Sequence, residues 1–494
     1  MANSNERKLQ RMESFKRIIN LGLVMICLGC EVAIFAYHWF TTFQHSVLPE
    51  FFRYGHVLEI SVYAVVLLLL SSMYGGMRLG YLRNSEIIFS QVFATFLTDV
   101  FIYAQLSLMA NQLFVPKVFI IMFTEHFAIV FVYINLANRV YRRIFPPRKL
   151  MLISGSHPTD EIISKINTRK DKYKIVKCMK MGKYLDKVCD KILESYQSGE
   201  MNAVMLWDVD SKTRNKLLKF CYMNSIRVYL MPKITDMILL GAEELHIFDS
   251  PLLLTREYKL TMEQRFCKRT IDIVCSLILL IITSPIMLLT AIAIKLQDGG
   301  PVLYKQVRCT INQREFKIMK FRSMRMDAEK DGKARLASKN DDRITPVGKF
   351  IRKCRIDELP QLINILCGDM SFIGPRPERP EIIKQYVEVM PEFVYRMKVK
   401  AGLAGFAQVY GKYNTTPYDK LKLDLIYIER YSLWMDIKLM LLTLKVLLWP
   451  DSTEGVESEQ VTAFKEAHYK SLNEKQNAND DYEQDGDEWE NENL

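Results

Sequence analysis

Four long apolar runs, at about 18–41, 57–76, 87–110 and 117–138, open the chain and limit what it can fold into. Each can cross roughly 30 Å of hydrocarbon at about 1.5 Å per helical residue. The first run is too long, and too closely followed by the second, to be a cleaved leader. Basic residues flank them unevenly. Arg7, Lys8, Arg11, Lys16 and Arg17 precede the first run, and Arg139, Arg142, Arg143, Arg148 and Lys149 follow the fourth. The second loop holds Arg78 and Arg83, whereas the first and third hold only Arg53 and Lys117. The positive-inside rule places the tail, the second loop and everything after residue 139 on the cytoplasmic side. Glu31, Asp99 and Glu125 lie within the spans and are expected to make helix-to-helix contacts rather than a transport path.

The remaining chain is basic in a way that narrows its partners. Net charge is +11 over 494 residues, and residues 474–494 hold nine acids and one base, so the first 473 carry +19. Anionic lipid headgroups and phosphate-rich substrates suit such a body, while the membrane runs argue against nucleic acid. Ten cysteines show no paired spacing, and Cys27 with Cys30 falls inside an apolar run, which points away from a redox or metal motif.

Residues 148–260 change character. Short apolar runs, Leu150–Ile153, Tyr173–Val176, Ala203–Trp207 and Arg227–Met231, alternate with amphipathic stretches, the rhythm of a parallel sheet covered by helices. The first predicted strand leads into Ser154-Gly155-Ser156-His157-Pro158. One glycine is not a dinucleotide fingerprint, so a Rossmann-like structural module is expected. A fifth apolar run, Ile271–Leu296, has Ser284-Pro285 at its centre and basic residues on both flanks. Proline removes a helical donor and clashes with the turn before it. A straight crossing would carry the basic region 297–450 outside, so a helix–break–helix that re-enters the cytoplasmic face is expected. Tyr431–Pro450, with Trp434, Lys438, Lys445 and Trp449, reads as an interfacial helix. From 451 onward the chain reads as a polar, acidic, disordered tail.

Three clusters carry candidate chemistry. Ile356-Asp357-Glu358-Leu359-Pro360-Gln361-Leu362 is expected to start a helix that stops at Gly368. Paired carboxylates there either cap the helix or serve as nucleophile and metal ligand. Arg352 and Arg355, just upstream, weaken the capping reading, because they add phosphate-binding cations to the same unit. Gly374-Pro375-Arg376-Pro377-Glu378-Arg379-Pro380 is stiffened by three prolines and presents two planar arginine donors. Lys320-Phe321-Arg322-Ser323-Met324 follows a strand expected at Glu315–Met319 and is a weak signal taken alone.

Together with the re-entrant run, these clusters resemble the bacterial sugar transferase family, the monotopic phosphoglycosyl transferases. The resemblance also rests on Lys268-Arg269…Asp272, Ser284-Pro285, Gly300-Pro301…Gln306…Arg308, Gly402…Gly405…Gln408-Val409…Gly411 and Tyr427…Ser432-Leu433…Asp436. Four spans and an α/β module resemble its long members. The resemblance implies transfer of a sugar-1-phosphate from a UDP-sugar (glucose or galactose) to undecaprenyl phosphate, with release of UMP. Such a reaction is the first membrane step of exopolysaccharide, capsule or O-antigen assembly. It implies Asp357 as nucleophile, through a phosphoryl-aspartate, and Glu358 as Mg²⁺ ligand. Arg352, Arg376, Arg379, Lys320 and Arg322 would bind substrate phosphates, and Lys268 and Arg269 would sit near the carrier's phosphate at headgroup level or serve as simple anchors there. The implied location is the bacterial inner membrane, multi-pass, with the catalytic domain cytoplasmic; a homo-oligomer is compatible with it. Thr310 and Gln313 stand where the family has glycines, and Ala401 where it has proline, so the local turns are expected to differ.

The expected architecture is therefore a four-span helical region (1–147), an α/β Rossmann-like module (148–260) and a mixed α/β catalytic domain (261–450) with re-entrant helix 271–296. Residues 451–494 form the tail. Two other classes compete. A membrane-anchored UDP-sugar dehydratase needs a glycine-rich loop and a Tyr-x-x-x-Lys pair; Tyr173…Lys177 and Tyr418…Lys422 have the spacing, but the loop is missing. A non-enzymatic membrane scaffold sensing a nucleotide would leave the charged set of 297–450 unexplained.

Overall fold

The computed structural model describes residues 15–46, 54–155, 159–181, 185–247, 249–255, 260–326, 341, 343–411 and 415–447. The acidic tail and the bases Arg7, Lys8, Arg11 and Arg53 lie outside these residues. The chain divides into two compact units, Met1–Pro232 and Lys233–Leu494.

In the first unit, helices α1 (Lys16–His38), α2 (Gly55–Tyr74), α3 (Asn84–Met109) and α4 (Pro116–Ile144) match the four apolar runs. A π-helical turn, Trp39–Phe43, extends α1, and all four helices are long and apolar enough to cross a membrane. Their outward apolar side chains are exposed, while Phe35, Trp39, Phe43, Tyr63 and Leu67 are fully enclosed between them. The acids within the spans do make helix-to-helix contacts. The Glu31 carboxylate accepts hydrogen bonds from Thr95 Oγ1 (2.5 Å) and Gln91 Nε2 (2.9 Å). Asp99 accepts from Tyr63 Oη at 3.0 Å and contacts His126 Nδ1 at 3.3 Å, and Glu125 contacts His38 Nε2 at 2.8 Å. Each acid thus meets another helix; Glu31 and Asp99 are buried, where such partners are required, and Glu125 is half exposed.

The same unit continues into β1 (Arg148–Ser154), α5 (Asp160–Asn167), β2 (Tyr173–Lys180), α6 (Leu185–Gln197), β3 (Ala203–Trp207), α7 (Ser211–Met223) and β4 (Arg227–Leu230). The four strands pair in parallel in the order β2-β1-β3-β4, as the sequence rhythm predicts. Met151, Ile153, Val204, Leu206 and Leu217 form its core. Tyr173 and Lys177 both lie on β2, so they lack the one-turn helical spacing a dehydratase pair needs.

The second unit begins with α8 (Ile234–Leu239) and the antiparallel hairpin β5 (Glu243–Ile247)–β6 (Ser250–Leu254). The sequence reading groups these residues with the α/β module, yet Ile234 and Met237 pack in the core of the second unit with Leu421, Leu425 and Ile428. Helix α9 (Met262–Asp298) then runs for 37 residues with Pro285 inside it. The break expected at Ser284-Pro285 thus does not end the helix. Proline removes only its own donor from the ladder, and the surrounding turns carry on. From Leu277 to Leu289 its apolar side chains are largely bare, whereas Lys268, Asp272 and Ser276 at one end and Thr290 and Ile294 at the other are buried.

The rest of the unit is mixed α/β. It comprises the hairpin β7 (Leu303–Cys309)–β8 (Glu315–Phe321), α10 (Pro346–Lys353), a 3₁₀ turn Ile356–Glu358, α11 (Gln361–Cys367) and β9 (Ser371–Ile373). These are followed by α12 (Pro380–Val389), a 3₁₀ segment Pro391–Lys398, β10 (Gly402–Ala404), α13 (Phe406–Tyr410), α14 (Pro417–Glu429) and α15 (Leu433–Leu447). The β7–β8 turn survives without its glycines: Asn312 and Gln313 take up the left-handed conformation themselves, at φ 53° and 61°. Thr310 is extended and donates to the Asp369 carbonyl at 3.0 Å, so no glycine is needed there.

Candidate active site

The carboxylate pair does not start an α-helix. Arg355 is held at φ 57°, an unusual conformation for a residue with a side chain, and this reverses the chain after α10. Asp357 and Glu358 then occupy a 3₁₀ turn, and α11 begins only beyond Pro360. Among the described residues, Asp357 Oδ1 is buried with no hydrogen-bond partner. A capping role would have given it a backbone N–H, so the cap reading is not what the fold uses. Gly368, at φ 88°, does end α11 as expected.

Cations converge on Glu358. Lys320 Nζ, from the penultimate residue of strand β8, donates to Glu358 Oε1 at 2.9 Å, and Arg376 Nη2 donates to the same oxygen at 2.9 Å. The strand runs two residues further than the sequence predicts, which is what carries Lys320 inward. Burial pushes the Asp357 carboxyl up to about 6, with the neighbouring Glu358 charge adding to the rise; Lys320, Arg352 and Arg355 oppose it. Burial also disfavours the Glu358 anion, but Arg376, Lys320 and Arg355 outweigh it and hold that carboxyl well below its usual range. Two adjacent carboxylates are therefore driven apart, one toward neutrality and one firmly ionised. Arg376 keeps 41% of its side chain exposed, so Glu358 does not seal it off from solvent.

The loop that carries Arg376 is built backbone on backbone. Gly374 N–H donates to the Ala404 carbonyl and Gly402 N–H to the Pro375 carbonyl, both at 2.9 Å. A Cβ on Gly374 would lie 2.3 Å from the Lys400 carbonyl oxygen, and one on Gly402 would lie 2.1 Å from the Gly374 nitrogen. No other residue fits these two positions. Arg308 Nη1 donates to the Pro377 carbonyl at 3.2 Å, and Arg396 Nη2 to the Arg376 carbonyl at 3.1 Å. Burial lowers the Arg308 guanidinium to about 10, with Glu378 opposing. Arg379 sits at the N-cap of α12, on the far end of this loop.

The structure thus brings together Asp357, Glu358, Lys320 and Arg376, with Arg352 close enough to act on Asp357 by charge. It places the other candidates elsewhere. Lys268 Nζ donates to the Ile373 carbonyl (3.0 Å), Tyr427 Oη (3.2 Å) and Asp436 Oδ2 (2.7 Å), which uses all three of its donors inside the protein. Arg269 donates to the carbonyls of Ile365 and Leu366 and so closes the C-terminus of α11. Both therefore hold α9 to the unit. Arg322 pairs with Asp298 at the far end of α9, not with the Lys320 cluster. Arg396 and Asp424, by contrast, carry no motif and escape sequence reading, since neither stands beside a recognisable cluster.

Fold and site together define a protein with several helices long and apolar enough to cross a membrane and a buried carboxylate pair held among cations. A family model described as "Bacterial sugar transferase" matches residues 263–450, and the chain belongs to that family. It is 44% identical over 186 residues to a UDP-N-acetylgalactosamine-undecaprenyl-phosphate N-acetylgalactosaminephosphotransferase of Aeromonas hydrophila, covering 37% of this chain and 44% of the relative. It is 39% identical over 190 residues to a UDP-glucose:undecaprenyl-phosphate glucose-1-phosphate transferase of Caulobacter vibrioides, covering 37% and 71%. An undecaprenyl-phosphate galactose phosphotransferase of Salmonella typhimurium is 37% identical over 241 residues, covering 45% and 50%. The chain spans less than half the length of several of the relatives it matches.

Proposed function

We propose that this chain transfers a sugar-1-phosphate from a UDP-sugar to undecaprenyl phosphate, with Asp357 as nucleophile. The observation that carries the reading is a buried, unpartnered Asp357 oxygen beside a Glu358 clamped by Lys320 and Arg376. A carboxylate kept free of hydrogen bonds keeps its lone pairs for attack, and the cations supply the charge neutralisation phosphoryl transfer requires. In the first step an Asp357 oxygen bonds to the β-phosphorus and the bond to the bridging oxygen breaks, so UMP leaves with that oxygen. In the second, a phosphate oxygen of undecaprenyl phosphate bonds to the same phosphorus and the aspartyl carboxylate is released. Arg376 and Arg352 hold substrate phosphates, and Lys320 keeps Glu358 in place.

The residues fit Mg²⁺. The second oxygen of Glu358 is the hard oxygen ligand this ion prefers, and it commonly takes only one or two carboxylates beside substrate phosphates. Glu358 would hold the ion, which when bound neutralises the pyrophosphate. The relatives act on glucose, galactose and N-acetylgalactosamine donors by name, and glucose or galactose is the choice proposed here.

The reaction is placed at the cytoplasmic face of a bacterial inner membrane, on a re-entrant α9, as the opening step of surface-polysaccharide assembly. Support for the re-entrant helix comes from its ends. Both are tied to one unit, through Arg269 to α11 and through Asp298 to Arg322, while the apolar middle is bare. A bare apolar segment anchored at both ends on one body suits a dip into one leaflet. The test is isotope exchange. Labelled UMP should enter UDP-sugar without lipid acceptor, and Asp357→Asn should abolish it. Exchange that persists in that variant overturns the assignment.

A further inference from the structure

Behind Arg376 lies a set of buried charges that neither the carboxylate pair nor a substrate path accounts for. Arg396, on the 3₁₀ segment Pro391–Lys398, and Asp424, on α14, have side chains only 4% and 1% exposed. Arg396 Nε donates to Asp424 Oδ2 at 2.9 Å, and Nη2 approaches the same oxygen at 2.8 Å. Nη2 also donates to the backbone carbonyl of Arg376 at 3.1 Å, and Nη1 faces Glu378 Oε1 at 3.7 Å. The guanidinium rests against the Phe393 ring, its carbon 4.9 Å from the centroid. Burying such a pair is costly unless its geometry is used, and a well-packed apolar pair is often as stable. The geometry here points at one place: the two residues, 376 and 378, on either side of Pro377.

Resting on the functional reading above, we propose that Arg396, oriented by Asp424, is a positioning residue for the transfer. It touches no substrate. It fixes the carbonyl of Arg376, with its charge facing Glu378, and so sets the direction from which Arg376 reaches Glu358 and the substrate phosphates. The planar guanidinium is essential, because one rigid fork serves Asp424 and the Arg376 carbonyl at once while facing Glu378. Lysine offers the charge without the fork. The loop's glycines, 374 and 402, anchor one end of the segment, and Arg308 anchors the Pro377 carbonyl; Arg396 is the anchor at Arg376 itself.

The experiment is a double-mutant cycle on the full chain in detergent, read by labelled-UMP exchange. The donors tried are UDP-glucose, UDP-galactose and UDP-N-acetylgalactosamine, and rates are normalised to the folded fraction from thermal melts. Arg396→Lys alone should lower exchange about 10- to 100-fold, the cost of a misdirected but present partner. Arg376→Lys alone should lower it at least as far. The double variant should fall no more than about 3-fold below Arg376→Lys, because Arg396 acts only through Arg376. Asp424→Asn, which leaves the shape of the site intact, should show the same non-additivity and serves if Arg396→Lys does not fold. A residue with a merely structural role would give losses that multiply, or no loss once folding is normalised, and either result overturns the proposal. A wild-type chain silent with all three donors sinks the functional reading and this inference with it; an active wild type with multiplicative losses sinks the inference alone.

Discussion

Asp357 and Glu358 are neighbours with the same functional group, and their surroundings give them opposite effects on stability. Burial raises Asp357 to about 6, so the fold favours its neutral form. That favourable contribution is complete below the ordinary carboxylate range and is lost as pH rises through about 6. Ionising Asp357 in place costs at most about 3 kcal/mol. Asp357→Asn should therefore raise the melting temperature by a few degrees at pH 7.5, and melts repeated near pH 4 should show the gain disappearing. Glu358 is depressed, so its contribution is present above the ordinary range and fades only in strong acid. Glu358→Gln strands Lys320 and Arg376 and should cost about 1–3 kcal/mol at pH 7.5. Opposite signs for adjacent substitutions are the signature to look for. On the proposed role of Asp357 as an ionised nucleophile, the acid limb of kcat/KM should fall near pH 6, and wild-type activity measured from pH 5 to 8 checks it.

Among the elements, the Gly374 loop bears on the site and helix α9 on the topology. Gly374→Ala would drive a methyl to about 2.3 Å from the Lys400 carbonyl, against backbone that cannot yield. The expected outcome is a loss of at least about 2 kcal/mol with exchange activity lost in parallel, measured by denaturant unfolding and labelled-UMP exchange. For α9 the question is topology. Replacing Ser284 and Pro285 with leucine gives about 26 continuous apolar residues, which favours a full crossing. Cys354 and Cys367 are exposed and lie beyond α9. In intact cells an impermeant maleimide should leave both unlabelled in the native chain and reach them in the double-leucine variant. Labelling of the native chain would end the re-entrant proposal.

At the scale of the whole molecule, the division at residue 233 matters more than the composition shift near 260. Ile234 and Met237 are core residues of the second unit, and Gly241 lies against Glu429 so closely that a Cβ would meet its carboxylate at 2.4 Å. A chain starting at 233 should keep its melting temperature and exchange activity in detergent. One starting at 260 leaves holes where two buried apolar side chains were, and should melt several degrees lower. Equal melting of the two would show that α8 contributes nothing to this core. Removal of 474–494 should leave turnover intact, since every residue placed in the site lies before it.

What the sequence determined by itself is whatever repeats along the chain. Spans α1 to α4 and strands β1 to β4 are legible because burial, in lipid or in a sheet, recurs with a short period that each segment carries alone. Asp357, Glu358, Lys320 and Arg376 are legible as a set through their motifs. What only the tertiary structure decided is which charge meets which. The left-handed Arg355 turns the carboxylate pair out of the helix, α9 spends Lys268 and Arg269 on the protein, and Asp424 meets Arg396 across 28 residues. An ion pair depends on a distance between side chains far apart in sequence, and no local periodicity encodes that distance. Loop closure and core packing set it, and they act on the assembled unit.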